Sequence, residues 1–241
     1  LIVAQLQRTC TIKIAAGRIA LLRRMCYGIE TVKKEGRVQM TVRYLACLAL
    51  GYLIGSLSVS ILISKYILHQ DVRTLGSGNA GAANAARTLG PRVGALTLLG
   101  DFLKGIISML LGSWLGGTTG LAIAGAACMI GHCFPIYFGF KGGKAVATAV
   151  AVALMLDWRV FLSAFAVFAV VAALTRTASV SSMAASIAVA AMTPVFTKNP
   201  VLISLGIFTC LLVLLMHRSN IRRLIQGTEP KFHFGKRPGK E

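Results

Sequence analysis

Between residues 44 and 216 apolar residues occupy every helical face of long stretches, and polar residues gather in the short intervals between them. Such runs lack the single apolar stripe of a helix packed on a soluble core. A helix that crosses a bilayer needs about 20 largely apolar residues. The pattern predicts five spans, at 44–66, 93–115, 118–138, 178–197 and 200–216. Two shorter runs, 145–156 and 160–174, lie on either side of Asp157, Trp158 and Arg159. At about 1.5 Å per residue, neither crosses a ~30 Å hydrocarbon core without borrowing flanking residues. They are read as short spans or as one re-entrant hairpin.

Composition supports this class: 56% of the 241 residues are hydrophobic and 14% charged, with a mean hydropathy of +0.73. These are not the values of a soluble domain. The net charge of +19 would point a soluble chain toward nucleic acid, but here the location of the cations matters more. If the helices alternate, Arg73, Arg87, Arg92, Lys141, Lys144, Arg176, Arg218, Arg222 and Arg223 share one side with the C-terminal tail. The other side holds residues 116–119, the balanced Asp157 and Arg159, and Lys198. Cytoplasmic loops carry the excess of Lys and Arg, so the basic side is expected in the cytoplasm. That parity requires both short runs to cross. The predicted fold is therefore all-α: a polytopic membrane protein of seven transmembrane helices, short or re-entrant in the middle, with no nucleic-acid partner.

Residues 1–39 carry eight cations against Glu30 and Glu35, and a segment so basic resists translocation. The expectation is that 1–39 is an extension outside the mature protein and that Met40 is the natural start. A signal peptide is the alternative, although no compact apolar core precedes a small-residue cleavage site. Residues 40–226 are then one membrane-embedded catalytic domain and 227–241 a basic cytoplasmic tail. The six cysteines form no CxxC pair and the four histidines no metal-ligand spacing, so neither metal nor cofactor is expected.

Polar residues beside membrane spans are costly and suggest function. Gly76, Ser77, Gly78, Asn79, Gly81 and Asn84, ending at Arg87, combine glycines able to shape an anion-binding turn with polar donors and a guanidinium fork. Lys141, Gly142, Gly143 and Lys144 place cations and backbone donors before a predicted helix N-terminus. Asp101 and Lys104, at i and i+3, share a helix face and can pair. Ser179 and Ser182 follow Arg176, and His217, Asn220, Arg222 and Arg223 end the last span. Loops that bring cations and small donors to one membrane face point to phosphate-bearing ligands. A transporter of phosphate esters or other anions is the alternative, but no inverted repeat is visible and the cations collect on one face.

The residues in combination resemble the bacterial acyl-phosphate:glycerol-3-phosphate acyltransferase family (PlsY type). The family pattern SGNxGATNxxR is matched by 77–87, DxxKG by 101–105, GHxxPxxxxFKGGKGVAT by 131–148, and HRxNIxRLxxGxE by 217–229. Ala83 stands where the pattern has threonine, Ala145 where it has glycine, and Thr177 where an aromatic is usual. The resemblance implies transfer of a fatty acyl group from acyl phosphate to the sn-1 hydroxyl of glycerol 3-phosphate, giving lysophosphatidic acid and phosphate. It also implies a multi-pass protein of the bacterial inner membrane, an active site facing the cytoplasm, and a functional link to the enzyme that makes acyl phosphate. In this reading Ser77, Asn79, Arg87 and Lys144 hold phosphate and the developing oxyanion, while Ser179, His217 and Asn220 orient glycerol phosphate. Lys104, Lys141, Ser182 and the loop glycines complete the expected site.

Overall fold

Among the residues described by the computed structural model, 36–231, every regular element is helical. The expected N-terminal extension and the end of the basic tail lie almost wholly outside them. The chain divides into two units at residue 43, and the first contributes only helical residues 36–43. The elements are α1 (Gly36–Ser56), α2 (Val59–Leu62), α3 (Ala82–Thr88), α4 (Pro91–Cys133), α5 (Val146–Leu156), α6 (Trp158–Thr175), α7 (Ala178–Phe196), α8 (Pro200–Met216) and α9 (Arg218–Ile225).

The expected span at 44–66 is a correction: the helix breaks after Ser56 and resumes as α2 and a π turn, Ile63–Ile67. Serine hydroxyls compete for backbone groups, and this stretch is dense in them. Ser56 donates to Tyr52 O (2.8 Å), Ser60 to Ala80 O, and Ser64 accepts from Val72 N (3.2 Å). The break therefore anchors the segment that leads into α3.

The expected helices at 93–115 and 118–138 are the two arms of α4. Gly116 and Gly117 leave helical geometry, Gly117 with φ 61°. Across the turn the arms run antiparallel: Ser108 donates to Ala124 O (3.1 Å), Cys128 Sγ lies 3.9 Å from Lys104 O, and Gly112 faces Gly120. The second arm ends at Cys133, short of 138, because Pro135 holds Phe134 outside the helical region. Gly51 and Gly55 of α1 abut the backbone of Ala124 and Cys128. Small residues there permit the close approach on which helix packing in lipid depends.

Asp157 separates the two short runs by capping α6, accepting from Arg159 N at 2.8 Å. Helix α6 has 18 residues and α5 only 11. Among the described residues, four helices can cross a membrane by length and composition, and a fifth when α8 is taken with α9. Met109, Met129, Val152, Val160 and Val213 form the buried centre of α4, α5, α6 and α8. Leucine, isoleucine and phenylalanine side chains cover the outside.

Candidate active site

At the end of the bundle where the chain enters α3, α5, α7 and α9, first-turn residues of all four helices surround a polar cavity of about 340 Å³. Ser77, Asn79, Gly81, Asn84, Arg87, Lys144, Ser179, Ser182, His217 and Asn220 line it, as sequence reasoning grouped them. Arg223 and Glu229 line it as well, and neither was in the expected site.

Glu229 organises one wall. Its Oε1 accepts from Ser179 Oγ (2.7 Å) and Asn220 Nδ2 (2.6 Å), and its Oε2 from Arg223 Nε (2.7 Å). Burial opposes its ionisation, but these hydrogen bonds outweigh that and hold its pKa below the ordinary carboxylate value. Asn220 turns its Oδ1 to Lys144 Nζ. Lys144 is pushed down to about 8 by burial, then by Arg223, with Arg87 adding to the effect and Glu229 opposing it. Three cations, Arg87, Lys144 and Arg223, therefore line the same cavity as Glu229. Buried His217 has Nδ1 at 2.8 Å from Val213 O. A carbonyl only accepts, so Nδ1 carries the hydrogen and the neutral ring keeps Nε2 as an acceptor.

Several expected ligand groups are hydrogen-bonded within the protein. The N–H groups of Ser77, Gly78, Ala80 and Gly81 donate to Asn84 Oδ1, Leu75 O, Gly142 O and Asn79 Oδ1. The turn is no open nest of donors. Asn84 is a staple, its Nδ2 donating to Val72 O (3.1 Å) and Leu75 O (3.0 Å). Gly76 and Gly78 supply positive φ, 56° and 70°, and do not line the cavity. Gly142 N and Gly143 N donate to Cys133 O (3.2 Å) and His132 O (3.0 Å), so neither amide is offered to an anion. Lys141 is exposed and away from the lining. Ser182 lines the cavity while donating to Ala178 O at 2.8 Å.

Lys104 is buried below the site, where its Nζ donates to Leu57 O (2.6 Å), forms an ion pair with Asp101 Oδ1 (2.7 Å) and lies 3.0 Å from His132 Nδ1. It pairs with Asp101 as the i, i+3 spacing allows. Its ammonium satisfies the carbonyl at the α1 break, a group left without a helical partner.

The double glycine follows from the same cluster. A Cβ on Gly143 would lie 2.1 Å from His132 Nε2, so only glycine lets the loop cross that ring and present Lys144. We expect Gly143→Ala to cost about 1–3 kcal/mol through overpacking, read as a lower thermal midpoint in detergent; an unchanged midpoint would show that the ring has room to move. Ala145 takes the left-handed conformation (φ 58°, ψ 19°) and packs its methyl in the core, away from the cavity.

The polar cavity adjoins an apolar groove of about 460 Å³ between α4, α5, α6 and α7. Leu98, Val146, Ala147 and Phe168 line both.

Residues 45–227 match the family model described as glycerol-3-phosphate acyltransferase. A glycerol-3-phosphate acyltransferase of Syntrophotalea carbinolica is 40% identical over 195 residues, 80% of this chain and 99% of that protein. Glycerol-3-phosphate acyltransferase 2 of Bacillus anthracis is 40% identical over 184 residues, 76% of this chain and 96% of the relative. The crystal structure of PlsY (YgiH), an integral membrane glycerol 3-phosphate acyltransferase, in its glycerol 3-phosphate form, superposes with a TM-score of 0.75 at 35% identity, covering 79% of this chain and 96% of that one. Its lysophosphatidic acid form gives 0.72, again at 35% identity, over 79% of this chain and 95% of that one. With its helical fold, cation-lined cavity and adjoining apolar groove, this chain belongs to the glycerol-3-phosphate acyltransferase family of integral membrane proteins.

Proposed function

We propose that the protein transfers a fatty acyl group from acyl phosphate to the sn-1 hydroxyl of glycerol 3-phosphate. The observation that carries this reading is a cavity lined by Arg87, Lys144 and Arg223 at the mouth of an apolar groove. Like charges so placed repel unless anions join them. Both substrates bring phosphate, and the groove suits the donor's chain. The helix N-termini at Val146 and Ala178 add their positive dipole ends.

In this mechanism Arg87 and Lys144, with Ser77 and Asn79 beside them, hold the donor's phosphate and the oxyanion that forms as the hydroxyl adds to the carbonyl. Ser179, Asn220 and Arg223, fixed by Glu229, hold glycerol 3-phosphate. The C–O bond to the hydroxyl forms, the C–O bond to phosphate breaks, and phosphate leaves as an anion already paired with cations. His217 Nε2 is placed to accept the hydroxyl's hydrogen bond, and the proton ends on the released phosphate. Acyl phosphate is already activated, so no protein nucleophile is required.

Seven crossings follow if the α4 arms count separately and α5 crosses with α1, α6, α7 and α8. The basic loops then share the cytoplasmic side of the inner membrane, where acyl phosphate is supplied by the enzyme that makes it. Purified protein given glycerol 3-phosphate should yield 1-acyl lysophosphatidic acid with acyl phosphate as donor and none with acyl-CoA. Equal or faster turnover with acyl-CoA would overturn the donor assignment.

The groove also sets an expectation for chain length. From the polar end it runs from Ala95 to Phe102 on α4, Val146 to Ala153 on α5, Phe168 to Phe161 on α6 and Ser182 to Val189 on α7. The same separation on each helix corresponds to a depth of about 10 Å. Ala153 is buried at the far end. Ala153→Phe should lower kcat/KM for a long-chain donor at least ~10-fold relative to a short-chain one, since a few lost methylene contacts suffice for that. A uniform change at all chain lengths would remove Ala153 from the groove's closed end.

A further inference from the structure

The outward face of α9 carries a pattern that acyl transfer does not explain. Arg218, Ile221, Arg222 and Ile225 fall at i, i+3, i+4 and i+7, one face of the helix. All four are exposed, Ile225 at 83%. The opposite face bears Asn220 and Arg223, whose side chains reach Lys144 and Glu229. The helix bends by 53° from α8, out of the line of the last span.

Arg218 and Arg222 are like charges one turn apart, which destabilises a helix unless an anion lies between them. The protein supplies none among the described residues. Asp71, Asp101, Asp157 and Glu229 are paired with Arg73, Lys104, Arg159 and Arg223 respectively. Two isoleucines beside two unmatched guanidiniums are the chemistry of a helix lying in the interface of an anionic leaflet.

We propose that this face of α9 binds the headgroups of anionic phospholipids, and that lipid bound there holds Asn220 and Arg223 in the cavity on the other side of the same two turns. The inference rests on the proposed reading in taking the cavity to open at the membrane surface and to bind glycerol 3-phosphate. The occupant is the bilayer's own anionic lipid, a source distinct from the substrates.

The test uses Ile225→Trp in a Trp114→Phe/Trp158→Phe background, reconstituted in equal parts phosphatidylcholine and phosphatidylglycerol, with bromine on the chains of one lipid at a time. Brominated phosphatidylglycerol should quench the new tryptophan several-fold more than brominated phosphatidylcholine. Arg218→Gln/Arg222→Gln should abolish that selectivity, each arginine near an anionic surface being worth roughly fivefold. Lys65→Gln/Arg92→Gln should leave it intact. In parallel, KM for glycerol 3-phosphate should be several-fold lower in the mixed bilayer than in phosphatidylcholine alone, and the α9 double variant should lose the difference. Equal quenching by the two lipids overturns the headgroup site, and so does selectivity that Lys65→Gln/Arg92→Gln removes as fully as the α9 variant. Selective quenching with the same KM in both bilayers overturns the link to the cavity. Absence of acyl transfer in every lipid would count against the proposed reaction, while the quenching result would still decide the headgroup site.

Discussion

Lys144→Ala is expected to lower kcat by about 10²–10³, the range for losing one preorganised donor to a developing oxyanion, with the fold kept as judged by an unchanged thermal midpoint. Lys144 lines the cavity and stands two and three residues before Val146 and Ala147, which line both cavity and groove. Its pKa of about 8 in the unliganded protein makes the reaction pH-sensitive. The ammonium exists below that value and is lost above it. kcat/KM, which reports groups on the free enzyme, should therefore fall about tenfold per pH unit above pH ~8. Lys144→Arg, whose guanidinium stays charged throughout, should lose this alkaline fall while turning over more slowly, because the planar fork does not fit the contact with Asn220. Full turnover in Lys144→Ala would remove this residue from the mechanism.

Glu229→Gln should reduce kcat/KM for glycerol 3-phosphate by roughly 10–100-fold, the scale of losing hydrogen bonds to a charged group. The carboxylate fixes Ser179, Asn220 and Arg223 together; glutamine keeps one acceptor oxygen for Ser179 and Asn220 but sets an NH2 against Arg223 and removes the charge. Glu229 also raises the pKa of Lys144, against the lowering by Arg223 and Arg87. Removing its charge should move the alkaline limb to a lower pH than in the parent protein. A pH profile that does not move would mean that Glu229 is electrostatically remote from Lys144. A role confined to folding would lower the thermal midpoint and leave that limb in place.

Much of this arrangement is legible in the sequence, and the failures have physical causes. Helices α7 and α8 fall within a residue of their expected bounds because continuous apolar runs end at polar breaks, that before α8 capped by Asn199. The break after Ser56 was hidden by the surrounding hydrophobicity, although the alternate serines that cause it are visible. The motif residues converge around the cavity, but type and spacing could not say which are free to bind. Asn84 and Lys104 are the kinds of residue that hold phosphate, yet Asn84 Nδ2 is committed to two backbone carbonyls and Lys104 to one carbonyl and the Asp101 carboxylate. Gly142 and Gly143 serve the passage over His132. Glu229 enters the sequence reading only as the end of the 217–229 motif, because its use as an anchor for donors depends on a return of the chain after α9.

Direct transfer between two bound phosphates, with no acyl-enzyme, can be decided by following the acyl label. Reconstituted protein is incubated with acyl phosphate labelled in its carbonyl carbon, first without and then with glycerol 3-phosphate, and quenched within one turnover. The mechanism predicts no label on the denatured protein in either case, with lysophosphatidic acid and phosphate appearing in equal amounts only when glycerol 3-phosphate is present. Label bound to the protein before the acceptor is added, and chased into product afterwards, would refute it.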